Sequence, residues 1–305
     1  MLNRQRVLLG LIYFARPGAT KELSRTRLMK YAFLLTRESR CVPKSASYDF
    51  VPYKYGPFSF SLYRDLATLQ RHGHIDTDDD NAPLAIPEAA KETAWREIER
   101  LPADVRTALD EVCRKYGRME QDRLLREVYR RFPWYGLRTE RHDLLPDRRP
   151  EEPRAQIAVY TFGYEGLTVD GFFNFLLHKG IQKIIDVRRN PVSRKYGFAR
   201  SSMSSIAARL GLQYIHLPQL GIDPSRRKNL ETRDDYEHLL NWYEQTLPDR
   251  DGEIERAVEH VKGMPCALVC VEADPAFCHR SRLAKAISER AGVPVQHLVR
   301  KEHGG

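Results

Sequence analysis

No run of the 305-residue chain approaches the roughly 20 apolar residues of a membrane-spanning helix. The first ten residues, MLNRQRVLLG, lack the long apolar core and small-residue cleavage site of a signal peptide. A membrane partner or an exported chain is therefore not expected. Cysteine is scarce: the five residues Cys41, Cys113, Cys266, Cys270 and Cys278 form no CxxC pair and no zinc-ligand spacing. That argues against a disulfide framework and makes a reducing, cytoplasmic setting the expectation. The histidines and acids show no HxxxH or HExxH spacing, so neither a dedicated metal site nor a cofactor is expected, although the carboxylates leave a bound Mg²⁺ open. There is no internal repeat and no low-complexity tract.

What is present is the make-up of a soluble globular protein, with 42% hydrophobic and 30% charged residues over a length sufficient for two domains with separate cores. The net charge of +9 is unevenly placed. Residues 1–75 hold thirteen Lys or Arg against four Asp or Glu, so that quarter carries the whole excess. Such a basic block suggests a polyanionic partner, nucleic acid first and DNA favoured, against the alternative of a solvated Arg-rich surface.

The N-terminal pattern is helical. Leu8, Leu11, Ile12 and Ala15 recur at helical spacing and stop at Pro17-Gly18. Ser24 can cap a second helix with Leu28, Tyr31, Ala32 and Leu35 on one face, and Ser59 a third carrying Leu62, Leu66 and Leu69 and ended by Gly73. An acidic turn at 76–81 follows, then helical segments from 88 to 132 and a packing anchor at Phe132-Pro-Trp-Tyr. Arg25, Arg27, Lys30, Arg37, Arg40, Lys54 and Arg64 are candidate phosphate contacts. Tyr48, Tyr53, Tyr55 and Phe58 could stack on exposed bases, with core packing around a tight turn as the alternative.

The stretch YDFVPYKYGPFS from Tyr48 to Ser59, with Leu62-Tyr-Arg-Asp-Leu and His72-Gly-His-Ile, resembles the Panacea or SocA-like antitoxin domain. The resemblance covers the first third to two-fifths of the chain. It implies a winged-helix-like module that binds DNA or a partner, not a catalytic one. Residues 141–155, with three prolines and eight charges, read as a linker between a domain at 1–140 and a second at 156–305.

The C-terminal half alternates short apolar strands, expected at 157–162, 182–187, 212–217, 267–271 and 295–299, with helices at 169–179, 201–210, 236–247, 254–262 and 281–291. That alternation predicts an α/β fold, a mostly parallel sheet with helices on both faces. Ligands bind such sheets at the carboxyl ends of the strands. Those ends carry Gly163-Tyr-Glu-Gly, Asp186-Val-Arg-Arg-Asn-Pro, His216-Leu-Pro-Gln-Leu-Gly, and Glu272 followed by the Cys278-His-Arg turn.

Asp186, Glu272 and Glu165 are placed for general acid/base work, and Arg188, Arg189 and Arg280 for holding a phosphate or an oxyanion. A structural ion pair of Asp186 with Arg188 or Arg280 is the alternative. Cys278 and His279 open a helix whose dipole favours a thiolate, so Cys278 is a candidate nucleophile. Against it, a phosphatase or rhodanese loop would begin from a cysteine at the strand's end, whereas Cys270 reads as standing before that end and Cys278 follows a Pro-containing turn.

In order and spacing, Gly163-Tyr-Glu-Gly, Ile185-Asp-Val-Arg-Arg-Asn-Pro-Val-Ser, Tyr214-Ile-His-Leu-Pro-Gln-Leu-Gly and Val271-Glu-Ala-Asp-Pro-Ala-Phe-Cys-His-Arg resemble the domain-of-unknown-function 488 family across 157–299. This chain departs from many relatives at Leu220-Gly-Ile-Asp, where they carry a second glycine. The resemblance implies an α/β domain whose motifs share one polar pocket, which would add Tyr164, Ser193 and His216 to the binding set. Arg226-Arg-Lys beyond it is either a phosphate-facing loop or solvated.

Together these features point to a nucleic-acid-associated enzyme, hydrolytic, acting on a damaged or modified base or a nucleotide. The alternative is a ligand-sensing regulator of a defence or toxin–antitoxin system that binds a nucleotide-like molecule without turning it over.

Overall fold

The computed structural model describes the chain except for residues 16–22, 77–81, 148–149, 229 and 301–305. It divides into two compact units, Met1–Glu151 and Glu152–Gly305.

The first unit is helical. It contains α1 (Asn3–Phe14), α2 (Arg25–Glu38), an antiparallel hairpin of β1 (Val51–Tyr53) and β2 (Gly56–Phe58), α3 (Phe60–Arg71), α4 (Lys91–Glu99), α5 (Ala103–Gly117) and α6 (Gln121–Arg131). Ser24 and Ser59 cap α2 and α3 by accepting from the N–H groups of Arg27 and Leu62. Gly73 follows α3 at φ +70°, the left-handed conformation that ends helices cheaply only with glycine. Phe33 anchors the core, with Phe132 and Tyr135 at ring-centroid distances of 5.0 and 4.6 Å, so the Phe132-Pro-Trp-Tyr turn closes onto α2. The expected stop at Pro17-Gly18 and most of the acidic turn lie outside the described residues; Asp76 forms a lone bridge with Ala85. Within the expected linker, Leu144 is buried in this unit's core and Arg141 pairs with Asp122 at 2.9 Å, so that segment packs before the chain leaves the unit.

The second unit alternates β3 (Val159–Gly163), α7 (Val169–His178), β4 (Lys183–Asp186), α8 (Arg200–Arg209), β5 (Gln213–His216), α9 (Arg233–Gln245), α10 (Asp251–Gly263), β6 (Cys266–Cys270), α11 (Arg280–Ala291) and β7 (Val295–Leu298). The five strands run parallel in the order β5-β4-β6-β3-β7. Thus β6 is inserted between β3 and β4, and the loop leaving it is flanked by the loops leaving both neighbours. Side chains alternate between faces along each strand. Ile185, Leu268 and Cys270 join the core beneath α9, α10 and α11, while Phe162 stacks on Phe172 and Phe175 of α7 on the opposite face.

A glycine permits the closest approach at the carboxyl edge. A Cβ on Gly163 would lie 1.7 Å from the carbonyl oxygen of Glu272, so only glycine lets the end of β3 pass beside the chain leaving β6. Among the described residues no helix is long and apolar enough to cross a membrane.

Candidate functional site

The carboxyl edge of the sheet carries three separate groups of polar side chains. The first is a closed ion-pair network on the α7 side. Asp186, fully buried at the end of β4, accepts Nε and Nη2 of Arg188 at 2.8 and 2.5 Å and the Tyr214 hydroxyl at 2.6 Å. Arg188 also donates to the Tyr164 hydroxyl at 3.0 Å and to the Phe198 carbonyl at 2.9 Å, while Tyr164 stacks on Phe198 at 4.2 Å. His216 Nε2 lies 2.8 Å from the Arg188 carbonyl. Burial, then the Asp186 charge, pushes the Tyr214 hydroxyl well above its ordinary pKa, which keeps it a proton donor to the carboxylate. Both Asp186 oxygens are engaged, so the geometry gives this acid a bracing role in place of water activation. Arg188 is likewise consumed by the network.

The second group lies on the other face. Register places Asp186 opposite Val269, one residue before Cys270, and the alternation then sends the two side chains to opposite sides of the sheet. Cys270 is the last residue of β6, a correction to the expectation that it stands before the strand ends. Its sulfur sits 3.2 Å from Glu272 Oε2 and 3.9 Å from His279 Nδ1; Cys278 Sγ is also 3.9 Å from that nitrogen. Glu272 is held by Arg227 in a close ion pair, and Arg227 Nη2 lies 3.0 Å from His279 Nδ1. Burial alone would raise the Glu272 carboxyl, but Arg227 and the thiol donors outweigh it and hold it at about 2, so this acid is ionised across the physiological range. Arg280 is fully buried, and its Nη1 and Nη2 donate to the carbonyls of Glu272 and Ala273 at 2.6 and 3.0 Å. It therefore shapes the loop through both Nη groups, while its buried Nε has no hydrogen-bond partner among the described residues.

Glu165 and Ser193 sit apart from both groups. Glu165 is exposed and accepts the Ala273 N–H at 3.0 Å, and Ser193 accepts the Lys195 N–H at 3.1 Å. The single shared pocket implied by the four motifs is thus two structural clusters back to back.

The third group lines an open cleft of about 490 Å³ beyond β4 and β5. Its wall includes Arg189, Asp223, Trp242, Asp249 and Arg250. Arg250 stacks over Tyr243 at 4.9 Å and its Nη1 donates to the carbonyls of Gln219 and Gly221 at 3.0 and 3.3 Å. Arg226 lies 4.4 Å over the Trp242 ring. Asp223 is tied to the turn by Ser225, whose hydrogen bonds lower its pKa, whereas Asp249 has no hydrogen-bond or ion-pair partner among the described residues. Of the sequence candidates only Arg189 reaches this cleft. Trp242 and Arg250 were missed because they read as one aromatic on an amphipathic helix and one charge at its end; Arg226 and Arg227 had a signal in the Arg226-Arg-Lys run.

In the first unit, two candidate phosphate contacts are corrected. Arg27 is buried and donates to the Tyr31 hydroxyl and to the carbonyls of Tyr116 and Met119. Lys30 is buried beneath the hairpin with its Nζ 2.9 Å from the Pro57 carbonyl. Arg25 opens α2, Arg64 and Tyr55 are exposed, and Lys54 is exposed and paired with Glu140 at 2.8 Å. Arg37 donates to the Tyr135 hydroxyl at 2.6 Å.

Fold and strand-end loops define the class: a parallel α/β domain with its polar groups gathered at one sheet edge. Residues 168–287 match the family described as Domain of unknown function DUF488. The match spans α7 to most of α11, and leaves the Gly163-Tyr-Glu-Gly motif, β3 and β7 outside it. Comparison with curated proteins and with solved structures finds no match.

Proposed function

We propose that the chain is a nucleic-acid-associated hydrolase whose C-terminal cleft takes a nucleotide unit, with cleavage at a damaged or modified base as the favoured form. The observation that carries this reading is the composition of the cleft: it is lined by the Trp242 ring, one face of which packs on Arg226, by the guanidinium groups of Arg189 and Arg250, the latter held by two backbone carbonyls, and by the unpartnered carboxylate of Asp249. A base stacks on an indole face, a phosphate is met by guanidinium N–H donors, and a free carboxylate can take a proton from an attacking water. In the glycosidic form, Asp249 accepts that proton as water adds to the sugar carbon and the base departs. The basic N-terminal unit, with its resemblance to the Panacea or SocA-like domain, supplies the grip on the polyanion.

The test is incubation of the purified protein with oligonucleotides bearing modified bases and with free nucleotides. Product is expected, with kcat reduced at least about 100-fold in Asp249→Asn, the scale of a lost general base, and KM raised in Trp242→Ala. No product with any substrate, or turnover unchanged in both variants, overturns the reading.

The locked state of Asp186 and Glu272 favours one second reading, a regulator that binds a nucleotide-like ligand without turning it over. A nucleotide that raises the melting temperature yet survives intact selects the regulator.

A further inference from the structure

The Cys270, Cys278 and His279 cluster takes no part in the nucleotide reading, yet it gathers three of the strongest soft-metal ligands in one buried place. Their donor atoms all lie within 4.8 Å of one another, and all three residues are buried. We infer that this cluster, completed by Glu272, is a binding site for a divalent thiophilic metal ion, zinc by preference.

The geometry fits in four respects. Bonds of about 2.3 Å to sulfur and 2.1 Å to nitrogen put neighbouring ligands of a tetrahedral zinc roughly 3.5 to 3.8 Å apart. Both sulfurs stand 3.9 Å from Nδ1 and within 4.8 Å of each other, so closure of these three on an ion needs movements of about 1 Å or less. Glu272, whose Oε2 is 3.2 Å from Cys270 Sγ, is the neighbouring carboxylate that would swing in as the fourth ligand; it lies outside the 4.8 Å group formed by the other three.

The histidine is set in the ligating tautomer. His279 Nε2 lies 3.2 Å from the Val187 carbonyl, which can only accept, so Nε2 carries the proton and Nδ1 turns its lone pair toward the two sulfurs. That outer hydrogen bond is the usual partner of a metal-bound imidazole.

Charge also balances. A divalent ion with two thiolates and one carboxylate carries a net charge of about −1, and Arg227, paired with Glu272, supplies the compensating positive charge. The ion takes the place of the Arg227 hydrogen bond on Nδ1 while Arg227 stays on the carboxylate. Entry is through Glu272 and Arg227, whose side chains keep 19% and 27% of their surface accessible.

Sequence spacing hides this site, and the expectation of no metal rested on spacing alone. Cys270 ends a strand and Cys278-His279 begins a helix, so the ligands meet only when the loop between them closes.

Metal analysis of the full-length protein purified under reducing conditions without chelator tests the inference, together with Co²⁺ titration of the metal-free protein. About one zinc per chain is expected, with a thiolate-to-cobalt charge-transfer band on titration. Both are lost in Cys270→Ser/Cys278→Ser and kept in Cys41→Ser, with circular dichroism showing that each variant is folded. Wild-type protein that carries no metal and develops no such band overturns the site whatever the variants do. So does a double variant that binds cobalt as wild type does, or an oxidised protein whose only chemistry here is a Cys270–Cys278 disulfide.

Discussion

Lys30 shows how a residue chosen for its charge can serve the core. Its ammonium group lies beneath the hairpin with the Pro57 carbonyl as acceptor, and burial lowers its pKa from 10.5 to about 7. Between those two values the unfolded chain holds a proton that the folded chain has lost, so stability rises with pH across that window and is flat below it. Integrated over that window, the change is on the order of 5 kcal/mol. Lys30→Met removes the titrating group, so its unfolding free energy, measured by urea denaturation at steps from pH 7 to 10, is expected to lose that rise relative to wild type. Identical pH profiles for the two proteins would show that Lys30 is not buried as an amine. Asp186 carries the same lesson with opposite charge. Its isolation among apolar strand residues was compatible with a perturbed catalytic acid or a bracing ion pair, and only the position of Arg188 and Tyr214 decides between them.

At the scale of elements, the sheet edge depends on how closely the chain leaving β6 passes the end of β3. Gly163→Ala would drive a methyl group into the Glu272 carbonyl, with only backbone in the way. It is expected to destabilise the C-terminal unit by at least about 3 kcal/mol, the range of severe backbone clashes. Thermal unfolding should show this loss, whereas Gly252→Ala, where nothing lies within 4 Å of the new atom, should leave stability near wild type. The strands and helices around this edge were legible because each is a short apolar run or a helical stripe bounded by turn residues. The five strands fall within two residues of their expected limits. Which residues reach the edge was legible too, since that follows from strand direction. Which face each one takes was not. The pairing of Asp186 with Val269 is a matter of register between residues 83 positions apart, and a single sequence carries no sign of it. The cleft was hidden for a related reason: Trp242 and Arg250 lie on α9 and the turn after it, and only the packing of that helix brings them beside Arg189.

For the molecule as a whole, the charge distribution is the feature on which the proposal of a polyanionic partner for the basic N-terminal region rests. Its positive excess sits in residues 1–75, but burial of Arg27 and Lys30 means that charge counting overstates the surface available to phosphate. Arg40, Lys54 and Arg64, all exposed, are among the candidates that can still act. Each phosphate neutralised releases condensed counterions, so log K for duplex DNA falls with log salt at a slope near −0.9 per contact. Fluorescence anisotropy of a labelled duplex at rising salt should therefore show steeply salt-dependent binding by the full chain. Lys54→Ala and Arg64→Ala should each weaken it on every sequence tested and reduce the slope by about 1. Arg27→Ala should lower stability, through the carbonyls it leaves unpaired, and leave the slope of the folded protein unchanged. Binding that is absent, or that does not respond to salt, would remove nucleic acid as the partner and leave the free nucleotide in the C-terminal cleft as the ligand to pursue.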